Sequence, residues 1–154
     1  MISSPTIVQT VARRAAVIPI AIPREQIREV MGPAFNDLFA ALGEQGVAPA
    51  GPAFSHHLRN DPGVFDFELG VPIDAPFAST GRVTPGELPA ARVAQTVYTG
   101  GYEGLGAAWG ELDRWLKDEG LETAGAFWEI YEAGPETGVD PSQYRTRLSF
   151  VLAS

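Results

Sequence analysis

A carboxylate in the middle of a strand-like segment is the first feature of this sequence that could support chemistry. The segment Phe127–Glu132 has the aromatic and β-branched composition of a β-strand. Strand side chains alternate between two faces, so Glu129 and Tyr131 share one face, while Trp128 and Ile130 share the other and are expected to pack in the core. By strand rise, Glu129 and Tyr131 would lie within ~7 Å of each other.

Three interpretations of Glu129 are open at this point. On a solvated strand face it would have no function. In an apolar, aromatic pocket it would neutralise a cationic ligand, because a buried carboxylate without a partner must either take up a proton or pair with a cation. With a pKa raised by desolvation it could act as a catalytic acid or base. Tyr131 could stack on a ligand, hydrogen-bond to it, or pack at the rim.

The composition indicates one globular domain and excludes several classes of function. The chain has 154 residues, of which 45% are hydrophobic, and a net charge of −8. Nucleic-acid binding needs a basic patch, and the eleven Lys and Arg residues are scattered. Without Cys and with only two His, we expect no thiolate site, metal or other cofactor. No apolar run approaches the ~18 residues of a membrane span, and no signal peptide is recognisable, so we expect a cytoplasmic protein.

The hydrophobic pattern predicts the order strand–helix–strand–strand twice, which is an α+β fold with antiparallel sheets. A first helix, interrupted at Gly32-Pro33, ends near Glu44, and a second, whose buried stripe includes Trp109, ends at Gly120. The predicted strands lie at about 7–22, 53–59, 64–71, 91–98, 127–132 and 145–152.

The two halves also match in sequence. The segment Leu38–Phe54 aligns without a gap on Leu112–Trp128, so that the helical Leu, the terminating Gly and the aromatic strand start coincide. This predicts a tandem duplication within one domain over residues 1–154, with halves at about 6–72 and 91–152 and a linker at 73–90. Two such halves would pack as a pseudo-symmetric pair, and a groove at their junction is the default ligand site.

The same alignment contrasts the polar faces of the two halves. It places Ser55 at the position of Glu129 and His57 at that of Tyr131, whereas both packing faces begin with an aromatic residue. One half therefore offers a hydroxyl and an imidazole where the other offers a carboxylate and a phenol. We expect this face to line the groove.

The segment from Trp128 to Leu152 resembles the C-terminal signature of GyrI-like small-molecule-binding domains, which include effector-binding domains of AraC- and MerR-type regulators. It contains a Glu, an aromatic residue two positions later, a turn rich in Pro, Asp and Glu, and an Arg-Thr-containing last strand. The segment Tyr98–Leu105 resembles the family's Gly-Pro-Tyr-Glu element before the second helix, with Gly101 in place of the Pro. The resemblance covers about Thr6 to Leu152.

The resemblance implies two pseudo-symmetric halves whose strands form a concave groove with the helices behind it. It implies that Glu129 matches the family's buried glutamate, which contacts lipophilic cations in multidrug-sensing members. Some free-standing members are similar to hydrolases that open cyclopropane rings of DNA-alkylating natural products. Glu129 and Tyr131, with Tyr98 and Tyr102 as further phenols, could serve that chemistry.

Two positions of the last strand depart from the family pattern. Ser149 replaces a frequent aromatic residue, which would widen the groove. Arg147 occupies a position where some members have an acidic residue, and shares a strand face with Arg145 and Ser149. If that face lines the groove, Arg147 could pair with Glu129 and weaken the case for a purely cationic ligand.

We therefore predict a stand-alone domain that binds a hydrophobic, aromatic or cationic small molecule between its halves, with Glu129 as a buried anchor. The alternatives are a hydrolase of cyclopropanoid or other reactive natural products, and a protein-binding inhibitor, which would have an exposed acidic face and no closed pocket. An outer strand near Pro19 could form a homodimer edge. The predicted lining residues are Ser55, His57, Tyr98, Tyr102, Trp109, Glu129, Tyr131, Arg147 and Ser149.

Overall fold

The computed structural model describes residues 2–153, which form a single antiparallel sheet and two α-helices. Helix α1 spans Ile27–Glu44 and helix α2 spans Leu105–Asp118. The strands are β1 (Thr6–Gln9), β2 (Arg13–Pro23), β3 (Phe54–His57), β4 (Val64–Pro72), β5 (Thr84–Leu88), β6 (Arg92–Thr99), β7 (Thr123–Ala133) and β8 (Arg145–Leu152).

The sheet has eight strands in the order β1-β6-β8-β7-β3-β4-β2-β5, and every neighbouring pair is antiparallel. This confirms the predicted α+β fold, with one continuous sheet. The strands of the first half (β2, β3, β4) and those of the second (β6, β7, β8) occur in mirrored order and meet where β3 pairs with β7. That arrangement is the one expected of two equivalent halves, although the duplication itself stays a prediction.

Both helices pack on one face of the sheet, which we call the front face. On the first half, Leu38 of α1 lies against Ile18, Phe67 and Leu69. On the second half, Leu112 and Leu116 of α2 belong to a separate cluster that includes Leu148 and Phe150. These apolar residues recur at helical spacing on α1 and α2 and at every second position of the strands, so their burial against each other holds each helix to its own half.

The other face, which we call the back face, has a core of its own. Trp128 is only 1% exposed and packs with Phe54, Val17 and Val93. Residues at the strand ends cover this cluster: Leu88 belongs to it and Ala91 packs against it. Thr10 holds this end in place, because both its hydroxyl and its backbone N–H donate to the carbonyl of Ala91. Trp128 thus has the core position expected from strand alternation. The sheet is therefore packed on both faces. Because Trp128 lies on the back face, the alternate residues Glu129 and Tyr131 lie on the front face, beside the helices.

The expectation that the helices lie behind the groove is therefore wrong. Cavity-lining strand residues such as Ser55 and Glu129 share the front face with α1 and α2, whose side chains form the cavity walls. Strand alternation fixes which side chains share a face but not which face carries the helices.

Three element boundaries also differ from the sequence prediction. The predicted first strand is divided into β1 and β2, because the chain passes at Thr10 from β1 at one edge of the sheet to β2, which lies beside β5 near the other edge. Helix α1 is continuous through Pro33, whose exposed position leaves the unbonded carbonyl of the preceding turn open to water. The predicted linker contains β5, in which Pro85 is accepted because β5 is an edge strand.

Candidate functional site

A cavity of about 1270 Å³ lies on the front face between the two helices. Its floor is formed by β3 and β7, the two strands at which the halves meet. Its walls are mainly apolar and aromatic, with Met31 and Phe35 from α1 and Leu105 and Trp109 from α2. A large concave site of this character suits a ligand with several rings.

Glu129 lies on the floor of this cavity and accepts two hydrogen bonds from uncharged donors. The indole Nε1–H of Trp109 donates to Oε2 at 2.6 Å, and the phenol of Tyr131 donates to Oε1 at 2.8 Å. None of the ion pairs among the described residues involves Glu129. The carboxylate thus accepts hydrogen bonds on both oxygens, while no cationic side chain within residues 2–153 pairs with its charge.

Ser55 extends this hydrogen-bond chain. Its Oγ lies 2.7 Å from the Tyr131 hydroxyl, and because that hydroxyl donates to Glu129, Ser55 donates to it in turn. Ser55 is also the direct cross-strand neighbour of Glu129 in the pairing of β3 with β7. The chain Ser55–Tyr131–Glu129 therefore joins both halves of the molecule at their junction.

Burial raises the pKa of Glu129 above its ordinary value, and the hydrogen bonds from Trp109 and Tyr131 act against this rise. Burial, followed by the nearby charge of Glu129, raises the pKa of Tyr131 well above its ordinary value. Tyr131 consequently remains protonated and serves as a donor. A half-buried carboxylate of this kind, which opens into the cavity, can either bind a cation or exchange a proton.

Aromatic rings surround the carboxylate. Phe35 and Tyr102 each meet the ring of Tyr131 edge to face, with centroids 6.4 and 6.0 Å away. Trp109 contacts Phe127 and Phe150 at centroid distances of 5.0 and 4.7 Å. These contacts fix the orientation of Trp109 and Tyr131 and so hold their donor groups on the two oxygens of Glu129.

The structure brings together most of the residues that the sequence predicted for the site. Those lining the cavity are Ser55, His57, Tyr102, Trp109, Glu129 and Tyr131.

Tyr98, Arg147 and Ser149 do not line the cavity, so the prediction that they line the groove is wrong. Tyr98 is on the front face but is covered by the turn before α2, where its hydroxyl donates to the carbonyl of Gly101 at 2.8 Å. Arg147 and Ser149 are on the back face because the alternate residues Leu148 and Phe150 face α2.

Arg147 pairs with a different glutamate from the one predicted. Its Nε lies 2.8 Å from Oε2 of Glu132, and Nη1 donates to the side-chain oxygen of Gln95 at 3.0 Å. Gln95 in turn bonds to Ser149 at 3.3 Å. Arg147 thus belongs to a polar network on the back face and does not pair with Glu129.

Sequence reasoning did not assign several cavity residues contributed by α1, by β4 and by the turn that precedes α1. Met31 and Phe35 line the cavity, and so do Phe65 and Arg24, whose guanidinium carbon lies 4.4 Å from the centroid of the Phe65 ring. The available signal was the width of the apolar stripe on α1, which is broader than contact with the sheet requires, since Phe39 remains 43% exposed.

The chain belongs to the family of GyrI-like small-molecule-binding domains, whose model matches residues 4–152. A search of curated protein sequences found no match to this chain.

Solved structures show the same fold at low sequence identity. The C-terminal domain of EcmrR aligns with a TM-score of 0.81 and 17% identity, over 98% of this protein and 98% of that domain. In a structure of EcmrR in complex with DNA, this protein matches 57% of the EcmrR chain. SAV2435, solved with bound tetraphenylphosphonium, aligns with a TM-score of 0.72 and 11% identity over 99% of this chain and 95% of that one. A hydrolase from Listeria innocua aligns with a TM-score of 0.62 and 11% identity, covering 97% and 91% respectively.

Among the described residues, neither helix has the length and apolar character required to cross a bilayer.

Proposed function

We propose that this chain binds hydrophobic aromatic cations in the cavity between its helices, with Glu129 as the charged anchor. The observation that carries the proposal is the environment of this carboxylate. It lies on the floor of an aromatic cavity, accepts hydrogen bonds from Trp109 and Tyr131, and forms no ion pair within the described residues.

The balance of forces at this carboxylate favours a cationic ligand. Desolvation disfavours the charged form of Glu129, as the raised pKa indicates. A bound cation would compensate that charge in a region of low polarity, where the attraction is stronger than in water. The rings of Trp109 and Tyr131 add cation–π attraction for the same positive centre.

Two basic residues of the cavity indicate how such a ligand would be oriented. Arg24 and Arg28 both line the cavity on the side of α1. They would repel a positive centre, so the charged part of the ligand would lie at Glu129 and its apolar rings would extend towards α1. Arg24 already stacks on Phe65, which keeps part of its charge over an aromatic face.

The ligand of a structural neighbour supports this class of molecule. Tetraphenylphosphonium, the compound bound to SAV2435, is a permanent cation surrounded by four phenyl rings and carries no hydrogen-bonding group. It matches the cavity described above in chemistry, and it is the natural first probe.

The test is a calorimetric titration of tetraphenylphosphonium into the wild-type protein and into Glu129→Gln. We expect the wild type to bind and the variant to lose about 10- to 100-fold in affinity, the range that corresponds to losing one charge-assisted contact. Glu103→Gln is the matched control, because Glu103 also lines the cavity but is exposed to solvent. It should change the affinity by no more than about threefold, as expected for a screened charge.

Equal losses in the two variants would show that the total negative charge, and not the Glu129 anchor, governs binding. Unchanged affinity in Glu129→Gln would refute the proposal outright.

A second candidate function is hydrolysis of a strained or activated electrophile. The Ser55–Tyr131–Glu129 hydrogen-bond chain favours it, because a carboxyl with a raised pKa beside a protonated phenol can take up one proton and supply another. Glu129 would take a proton from water as the water oxygen bonds to the electrophilic carbon, and Tyr131 would protonate the atom released when the ring bond breaks. Return of the proton from Glu129 to Tyr131 would complete the addition of water.

Turnover separates this candidate from simple binding. Mass detection of products after incubation with cyclopropane-containing electrophiles should show an added water with the wild type, and Tyr131→Phe should bind the compound but not convert it. If the wild type leaves the compound unconverted, hydrolysis is rejected and binding is the function that remains. A protein-binding inhibitor would need no enclosed cavity, so the site described above favours the small-molecule functions.

A further inference from the structure

The imidazole of His57 is enclosed by aromatic rings in the centre of the sheet, where a polar ring is unusual. It lies in the middle of the sheet, paired directly with Phe67 on β4 and with Phe127 on β7. The imidazole is stacked between these two rings, with centroids 4.8 and 4.5 Å away and interplanar angles of 20° and 5°. Phe65 meets it edge to face at 5.2 Å.

Between these rings, neither imidazole nitrogen has a hydrogen-bond partner among the described residues. His57 is 5% exposed, and its Nδ1 is buried without a partner among the described residues. Nε2, at the tip of the ring, also makes no hydrogen bond within that part of the chain, but it is not enclosed, and the space that His57 lines is the cavity. An imidazole here therefore carries an energetic penalty that a phenylalanine, with the same stacking, would avoid.

We propose that His57 is the residue that selects ligands carrying an uncharged hydrogen-bonding group, such as a hydroxyl, amide or carbonyl. This inference rests on the proposed function, since it assigns a second contact to the ligand anchored at Glu129. The imidazole tip supplies the hydrogen bond, and the flanking Phe67 and Phe127 hold the ring in one orientation.

The spacing of the two groups fits a single ligand. Ser55 pairs directly with Glu129, and His57 is two residues further along the same face of β3. Diagonal neighbours of this kind lie roughly 7–8 Å apart along a pair of antiparallel strands. A molecule with several rings spans that distance, so its positive centre can lie at Glu129 while a polar substituent on one ring reaches His57.

The uncharged state of His57 makes it compatible with a cationic ligand. Burial lowers its pKa to about 3, with further contributions from the charges of Arg24 and His56. The imidazole consequently remains neutral at physiological pH and does not repel a cation. A neutral imidazole has one donor and one acceptor nitrogen, and a hydroxyl can serve as partner for either.

The experiment compares tetraphenylphosphonium with its three mono-hydroxylated analogues, which carry the hydroxyl at the ortho, meta or para position of one ring. In the wild type we expect at least one isomer to bind about tenfold more tightly than the parent cation, as one added hydrogen bond predicts. In His57→Phe that preference, measured against the affinity of the same variant for tetraphenylphosphonium, should fall to about twofold or less. His56→Phe is the matched control, because His56 is the adjacent residue but faces the back of the sheet, against Trp128.

A second measurement avoids substitutions that could impair folding. The protein contains only two histidines, so the imidazole ¹⁵N signals of the wild type can be assigned with one single-site variant. The Nε2 signal of His57 should move more with the preferred hydroxylated isomer than with tetraphenylphosphonium, and that of His56 should not.

The outcomes separate this inference from the proposed function. If tetraphenylphosphonium binds in a Glu129-dependent manner but no isomer is preferred, or the preference persists in His57→Phe, only the role of His57 is refuted. If the wild type binds none of the four cations, or binding does not depend on Glu129, the proposed function fails and this inference fails with it.

Discussion

Glu129 and Glu132 lie three residues apart on β7, and the chain treats the two carboxylates in opposite ways. Glu132 faces the back of the sheet, where Arg147 approaches to 2.8 Å and Arg145 to 3.7 Å. Glu129 faces the cavity, where its oxygens accept hydrogen bonds from an indole and a phenol. The first carboxylate is neutralised by the protein itself, whereas the second is oriented by the protein and keeps its charge available. The difference separates an ion pair between two strands from a cavity-facing carboxylate that is held only by neutral donors.

The largest expected effect of this difference is on the pH dependence of cation binding. Because burial raises the pKa of Glu129 above its ordinary value of 4.5, this carboxyl takes up a proton at a higher pH in the folded protein than in the unfolded chain. Affinity for tetraphenylphosphonium should fall about tenfold for each pH unit below the raised pKa. Calorimetric titrations over a pH series would measure this, and in Glu129→Gln the dependence should be absent.

The stability of the unliganded protein should change in the opposite direction. Between pH 4.5 and the raised pKa the folded state binds more protons at Glu129 than the unfolded state, so the free energy of unfolding contributed by this group decreases as the pH rises. If the free energy of unfolding of Glu129→Gln depended on pH in the same way as that of the wild type, the dependence would have to come from another group.

Removing one neutral donor should have a smaller effect that shows how the protein holds the available charge. Tyr131→Phe deletes the hydrogen bond to Oε1 of Glu129 and also leaves Ser55 without its partner. We expect the free energy of unfolding to fall by about 1–2 kcal/mol and the pH midpoint of cation binding to rise, because a bond that lowers the pKa of Glu129 has been lost. Denaturant titration and the pH series above would measure the two effects. Ser55→Ala should move both quantities in the same direction by less, and a larger change in Ser55→Ala would contradict this order.

The smallest expected effect comes from the back-face pair. Arg147→Ala removes the close partner of Glu132 but leaves Arg145 nearby, so the free energy of unfolding should fall by less than about 1 kcal/mol. The affinity for tetraphenylphosphonium should stay within about twofold of the wild type, as expected for a residue on the opposite face of the sheet. A marked gain in affinity would instead show that the positive charge of Arg147 acts on the cavity.

The sequence predicted which residues share a strand face but not what each face contacts. Alternation correctly grouped Glu129 with Tyr131, and Arg147 with Ser149. The assignment of the last group to the groove failed because β8 is apolar at positions on both faces, with Leu148 and Phe150 under α2 and Val151 against the back-face core. Only the position of α2 relative to the sheet decides which set faces the cavity, and that depends on long-range packing.

The strand β5 shows a second limit of the sequence. Its segment Thr84–Leu88 contains Pro85 and Gly86, both unfavourable in a strand interior. Pro85 is tolerated because β5 is the outermost strand of the sheet. Gly86 is required because β5 lies close to β2: a Cβ at this position would meet Cγ2 of Val17 at 2.7 Å. Neither condition can be inferred from the local pattern of five residues.

The direct pairing of Ser55 with Glu129 has a consequence for how the two halves can diverge. These residues are counterparts in the alignment of the halves and also cross-strand neighbours, so any two-fold axis relating the halves would pass between them. A residue at such a point faces its own counterpart, and two carboxylates there would be a like-charged pair in direct opposition. Two equal halves with a glutamate at this position could therefore not keep both carboxyl groups charged. A single negative charge at the centre of the site requires the symmetry to be broken at this position, with a small neutral residue such as Ser55 on the other side.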